Sequence, residues 1–137
     1  MKTITVENQV KSPIKKVWNA YTEPQHIIKW NFASHDWHCP KAENDLKVGS
    51  TYSARMEAKD GSFGFDFKAV YTEIIPEKKL AYTLDDGRKV VTHFENEDQT
   101  IKVTTIFEAE NQNPMDMQKA GWQAILNNFK NYTEKHM

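Results

Sequence analysis

Residues 114–135 read PMDMQKAGWQAILNNFKNYTEK, and this stretch has the clearest periodicity in the chain. Trp122, Ile125 and Phe129 fall within a narrow angular sector of a helix that turns every 3.6 residues, with Leu126 beside them. A helix over this stretch would be about 33 Å long, which is enough to cross a small sheet. The stretch therefore predicts one long C-terminal helix with an apolar face.

The chain before this helix alternates apolar and polar residues in several short runs, as half-buried strands do. These runs cover residues 3–10, 50–59, 63–75, 80–84, 90–94 and 101–107. Asp60-Gly61 is typical of a two-residue hairpin turn, and Asp86-Gly87 makes the next turn, because glycine tolerates the positive φ that such turns need. Consecutive strands linked by hairpins predict an antiparallel meander and argue against parallel strand–helix–strand units.

Two short helices are predicted between the first strand and the meander. Ser12 and Pro13 suit the N-cap and the first position of one helix, and Pro24 starts another. The residues that follow are the least regular in the chain. Here we predict a short strand at Asp36–Pro40, closed by Pro40, and a polar loop from Lys41 to Lys47.

Composition limits the class of protein. The 137 residues contain no repeat and no linker, which predicts a single domain over residues 1–137. Lys and Arg total 18 against 19 Asp and Glu, so the basic excess typical of nucleic-acid binders is missing. Cys39 is the single cysteine, and no stretch resembles a signal peptide or a membrane span. These features predict a cytoplasmic protein with neither a nucleic acid nor a membrane as partner.

Several segments together resemble a known family. They are Ser12-Pro13 with Val17-Trp18, Pro24 with Ile28-Lys29-Trp30, Val48-Gly49-Ser50-Thr51-Tyr52, residues 75–83, and Gly121-Trp122 with Leu126, Phe129, Lys130 and Tyr132. In this order they resemble the START/Bet v 1-like superfamily, and within it the branch similar to the C-terminal domain of the Hsp90 ATPase activator. The resemblance implies an α+β helix-grip fold, in which a curved antiparallel sheet wraps around the long C-terminal helix and two short helices follow the first strand. It also implies a cavity between sheet and helix that holds lipids, polyketide-like aromatics or other hydrophobic molecules.

The aromatic content is high, with four Trp, seven Phe and five Tyr. A curved sheet and a straight helix leave a gap between their middles, which side chains or a ligand must fill. We predict that a hydrophobic small molecule is bound there by Trp30, Phe32, Trp37, Met56, Phe65, Phe67, Tyr82, Phe94, Trp122, Ile125 and Phe129. The alternative is that these side chains fill the space themselves.

Two histidines and the cysteine are candidates for a metal or catalytic site. His35, His38 and Cys39 lie close together in sequence, but a structural zinc site needs four ligands and no second cluster is present. His38 and Cys39 point to opposite faces of a strand, which argues against a catalytic pair. Paired carboxylates, a Ser-His-Asp triad and a glycine-rich phosphate loop are also missing. The sequence predicts no catalytic residue, no metal and no cofactor.

The charged strand residues are expected to face solvent. Asp36, Arg55, Asp66 and Lys68 alternate with apolar neighbours, as residues on an outer face do. If one of them faced inward, Arg55 or Asp66 would be the polar anchor of the pocket.

Three functions remain open from the sequence. The first is a carrier or sensor of a hydrophobic molecule, which would not be an enzyme. The resemblance leaves two others, a module that acts on a chaperone and a cyclase-type cavity enzyme. An exposed strand edge also leaves a weak homodimer open.

Overall fold

The computed structural model describes residues 2–137, which form one curved sheet and three helices. The elements are β1 (Thr3–Val10), α1 (Ile14–Thr22), α2 (Pro24–Trp30), β2 (Trp37–Asn44), β3 (Thr51–Ala58), β4 (Gly64–Ile75), β5 (Lys79–Leu84), β6 (Lys89–Glu97), β7 (Thr100–Glu108) and α3 (Met115–His136). The seven strands are antiparallel, in the order β1-β7-β6-β5-β4-β3-β2. The predicted α+β helix-grip fold is confirmed.

The connection through α1 and α2 sets the shape of the molecule. It carries the chain from β1, at one edge of the sheet, to β2 at the other edge. The backbone of α3 runs closest to β1, α1 and α2. In the C-terminal half of α3, Phe129 packs edge-on against the rings of Tyr21 and Trp30, with centroids 5.2 and 5.0 Å away. This aromatic cluster closes one end of the space between α3 and the sheet.

The irregular segment folds differently from its prediction. The strand predicted at Asp36–Pro40 runs from Trp37 to Asn44 instead, so a polar loop from Lys41 to Lys47 is wrong for its first four residues. Pro40 does not end the strand, because β2 is an edge strand and the register of its pairing with β3 shifts between His38 and Lys41. The polar composition of this part reflects the exposed edge of a sheet.

Two turn signals also differ in detail. Helix α1 begins at Ile14, with Pro13 at the N-cap position and no side-chain cap, so Ser12 does not cap it. The Asp60-Gly61 hairpin is longer than a two-residue turn, because the amide of Ala58 bonds the carbonyl of Phe63 at 2.9 Å. Both signals mark the correct place in the chain.

Across residues 2–137, none of the helices combines the length and the apolar character needed to span a membrane.

Candidate ligand cavity

A partly open cavity of about 260 Å³ lies between the sheet and the N-terminal half of α3. Its wall is formed by Val6, Tyr21, Trp30, Asn31, Asn44, Tyr52, Met56, Phe65, Phe67, Tyr71, Tyr82, Arg88, Thr105, Glu110, Gln118, Trp122, Ile125 and Leu126. Most of these side chains are aromatic or aliphatic. The backbone of α3 lies close to β1, α1 and α2. It does not pack closely on the middle of the sheet, and the cavity lies there.

The predicted ligand-binding residues divide into two groups. Seven of them border the cavity, namely Trp30, Met56, Phe65, Phe67, Tyr82, Trp122 and Ile125. The other four lie elsewhere. Phe94 and Phe129 are buried in the core at the closed end, Trp37 packs against Phe63 and Phe65, and Phe32 is half-buried after α2. Phe94 and Phe129 belong to the core, where both pack edge-on against the ring of Tyr21 on α1.

Ring contacts from both sides shape the apolar wall. On the helix side, the indole of Trp122 stacks on Phe107 of β7, with centroids 4.0 Å apart and an interplanar angle of 12°. On the sheet side, Phe67 meets Trp122 edge-on at 6.3 Å and Tyr82 edge-on at 6.2 Å. Trp122 is therefore held in place by the sheet while it borders the cavity.

Four tyrosines supply the polar groups of the cavity floor. The hydroxyl of Tyr71 donates to Asn44 Oδ1 at 2.8 Å, and the hydroxyl of Tyr52 accepts from Asn31 Nδ2 at 3.4 Å. The hydroxyl of Tyr21 lies 3.4 Å from Thr92 Oγ1. Burial raises the pKa of all four phenols, including Tyr82, so each one is neutral at physiological pH.

Tyr82 differs from the other three because its hydroxyl has no hydrogen-bond partner among residues 2–137. Its side chain is buried, with 7% exposed, and it lies at the centre of the aromatic floor. Within the same residues, the one fully enclosed side-chain oxygen or nitrogen without a partner is Asn8 Oδ1. The Tyr82 oxygen therefore borders the open volume of the cavity.

One end of the cavity is polar. Arg88 donates from Nε to Asp86 Oδ2 at 2.8 Å and from Nη1 to the carbonyl of Glu108 at 3.3 Å. The amide of Gln118 joins the connection between β7 and α3, since its Oε1 accepts from the amide of Glu110 at 2.9 Å. Its Nε2 donates to the carbonyls of Glu110 and Asn113 at 3.2 and 2.8 Å. This network holds the start of α3 against the sheet.

Arg55 and Asp66, which would have been polar anchors only if they faced inward, lie outside the cavity. Arg55 donates to Glu57 Oε2 at 2.8 Å and to Asp66 Oδ1 at 3.5 Å, and neither Arg55 nor Asp66 borders the cavity. The polar groups that do border it were missed. Thr105 could have been found, because it occupies an inward position between Val103 and Phe107 in an otherwise apolar alternation.

Asn44 and Gln118 had no comparable signal. Asn44 faces the cavity because β2 continues past Pro40, and Gln118 does so because of the way the start of α3 docks on the sheet. Both placements depend on contacts between distant parts of the chain.

The histidines and the cysteine do not form a metal cluster. Over residues 2–137, no group of three or more His, Cys, Asp or Glu side chains could hold a metal ion. His38 Nε2 lies 3.5 Å from Glu57 Oε1 on the outer face, whereas Cys39 is buried. Burial raises the pKa of the Cys39 thiol, which disfavours the reactive thiolate.

Known families and solved structures resemble this chain along nearly its whole length. The model of the family described as "Activator of Hsp90 ATPase homolog 1-like protein" matches residues 11–134. The solution structure of an AHSA1-like protein from Aeromonas hydrophila is 39% identical, covers 99% of this chain and 97% of its own, and superposes with a TM-score of 0.92. A solution structure from Cytophaga hutchinsonii is 47% identical, with 98% and 96% covered and a TM-score of 0.84.

A more distant crystal structure extends the likeness of fold. A protein from Chromobacterium violaceum is 22% identical, with 96% of each chain covered and a TM-score of 0.86. No curated protein matches this chain.

Proposed function

The chain belongs to the family of activator of Hsp90 ATPase homolog 1-like proteins, within the START/Bet v 1-like superfamily, and from this premise we propose that it binds a hydrophobic small molecule as a carrier or sensor. The observation that supports the proposal is the cavity of about 260 Å³ beneath α3. Its volume is just below the range of about 300–1,000 Å³ typical of pockets for drug-sized ligands. Apolar walls with a few polar groups are also typical of such pockets.

The physical driving force is the removal of apolar surface from water. Water molecules next to the rings of Phe67 and Trp122 would find few hydrogen-bond partners. An apolar ligand that displaces them gains about 25 cal/mol for each Å² of apolar area that it buries. The rigid stacking of Trp122 on Phe107 keeps this wall in shape, so little conformational freedom is lost on binding.

Binding is tested with a panel of fatty acids, flavonoids and one- and two-ring aromatic compounds, followed by thermal shift and tryptophan emission. We expect at least one compound to raise the melting temperature, because a ligand at a hundred times its Kd stabilises a protein by about 2.7 kcal/mol. Trp122→Ala and Ile125→Trp should each weaken that binding by roughly tenfold, a loss equal to about 1.4 kcal/mol. The first variant removes a wall and the second narrows the cavity.

Met117→Ala is the matched control on the same helix. Met117 is 60% exposed and does not border the cavity, so its removal should leave the affinity unchanged. The proposal is wrong if no compound of the panel stabilises the protein, or if binding survives both cavity variants.

The description of the matched family supports a second candidate function, a module that acts on the Hsp90 chaperone. In that case, the purified protein added to an Hsp90 ATPase assay should change the rate of ATP hydrolysis. An unchanged rate at saturating protein would discard this candidate and would leave the cavity proposal untouched.

A further inference from the structure

We infer that the ligand of this cavity is a small, neutral aromatic compound of one or two rings, which accepts a hydrogen bond from the hydroxyl of Tyr82. The inference rests on the proposed function and narrows its ligand to one chemical class. Four properties of the cavity support it, namely its volume, the arrangement of its rings, its charges and its one hydroxyl group without a partner.

The volume limits the size of the ligand. The cavity volume of about 260 Å³ lies just below the range of about 300–1,000 Å³ typical of pockets for drug-sized ligands. An organic molecule that fits wholly inside is therefore smaller than a typical drug, on the order of a naphthalene with one small substituent. Long-chain fatty acids and three-ring flavonoids exceed this size.

The arrangement of the rings favours a flat ligand. Phe67 of the sheet and Trp122 of the helix meet edge-on in the cavity wall, and Tyr82 lies beside Phe67. Aromatic rings prefer offset or edge-to-face contacts at centroid distances of about 4.5–7 Å. A planar aromatic compound can make such contacts with the sheet and the helix at once.

The charges of the cavity favour a neutral ligand. Arg88 and Glu110 are the two charged side chains in its wall, and their signs are opposite. Arg88 is already bonded to Asp86 and to a backbone carbonyl, and the carboxylate of Glu110 accepts from Asn113. An ionised ligand would lose its hydration without meeting a free counter-charge, which is costly.

The hydroxyl of Tyr82 gives the ligand one polar contact. The hydroxyl of each of the other three tyrosines already makes one side-chain hydrogen bond, that of Tyr52 as an acceptor, whereas the hydroxyl of Tyr82 makes none. A ligand that fills the cavity shuts this hydroxyl off from water, and an acceptor on the ligand then replaces the lost hydrogen bond. A carbonyl, an ether oxygen or a ring nitrogen has the required chemistry.

The test compares 2-acetylnaphthalene with two compounds of nearly identical shape, measured by isothermal titration calorimetry. The first, 2-isopropenylnaphthalene, lacks the acceptor, and the second, 2-naphthoate, carries a negative charge. We expect the ketone to bind roughly three- to tenfold more tightly than the hydrocarbon, as one added hydrogen bond allows. The carboxylate should bind at least tenfold more weakly than the ketone, and palmitate should not compete with it.

Tyr82→Phe identifies the donor. This variant removes a hydroxyl that has no protein partner, so the fold should persist, and the preference for the ketone should fall to about onefold. Tyr132→Phe is the matched control. The hydroxyl of Tyr132 is hydrogen-bonded to His26 Nδ1 at 2.7 Å, and neither residue borders the cavity. This control variant should keep the full preference.

Each failure has a separate meaning. An unchanged preference in Tyr82→Phe overturns the role of Tyr82. If the carboxylate or palmitate binds more tightly than the ketone, or if only larger panel compounds bind, the ligand class is wrong and the proposed function stands. If neither the naphthalenes nor the wider panel bind, both proposals fall.

Discussion

Replacing Phe129 with alanine is expected to lower the free energy of unfolding by about 3–5 kcal/mol, the usual cost of deleting a large aromatic ring from a core. Phe129 is 0% exposed and touches the rings of Tyr21 and Trp30 edge-on. Its removal leaves a hole where α3 meets both short helices. Urea unfolding followed by circular dichroism gives the difference.

Phe63→Ala is the control for the loss of a phenyl ring in general. Phe63 is 58% exposed and lies just before β4, where it contacts the ring of Trp37 edge-on and the ring of Phe65 at a tilted angle. Its removal should cost at most about 1 kcal/mol. Equal losses in the two variants would show that the closed end of the molecule is not the core that the packing indicates.

Replacing Gln118 with leucine should cost about 2–3 kcal/mol, because it leaves backbone groups without partners. Gln118 is 8% exposed, and its amide makes three hydrogen bonds to the backbone of Glu110 and Asn113. Leucine has a similar size but can form none of them. The free energy of unfolding measures the cost, and faster amide hydrogen exchange at Glu110 locates it.

Gln123→Leu is the matched change on the same helix. The side chain of Gln123 also bonds backbone groups, those of Glu7, but these contacts lie at the surface, where water can replace the lost partner. We expect a loss below about 1 kcal/mol. If the two leucine variants lose the same free energy of unfolding, the hydrogen bonds of Gln118 do not hold the start of α3 in place.

The fold was predictable because most of its information is local. The alternation in residues 101–107 indicates a half-buried strand, and the spacing of Trp122, Ile125 and Phe129 indicates a helix face. The strand β2 was only partly predictable. Its last four residues are polar because the strand lies at the edge of the sheet, and that position follows from the order of the strands.

The cavity was predictable in its rings but not in its polar groups. Phe67 and Trp122 border it, and both could be named from the sequence because they are large aromatic residues on the apolar face of their elements. Phe129 lies on the same helix face as Trp122 but two turns further along, where α1 and α2 close the space. Depth along the helix axis decides between wall and core, and periodicity contains no information about depth.

The pairing of β1 with β7 has a consequence for how the chain folds. Thr3 lies opposite Glu108, so β1 must wait for the synthesis of β7 before it has a neighbour in the sheet. Contacts this distant in sequence slow folding, because a large loop must close before they form. Until then the apolar residues of β1, Ile4, Val6 and Val10, remain uncovered on the nascent polypeptide, where they favour aggregation or capture by chaperones.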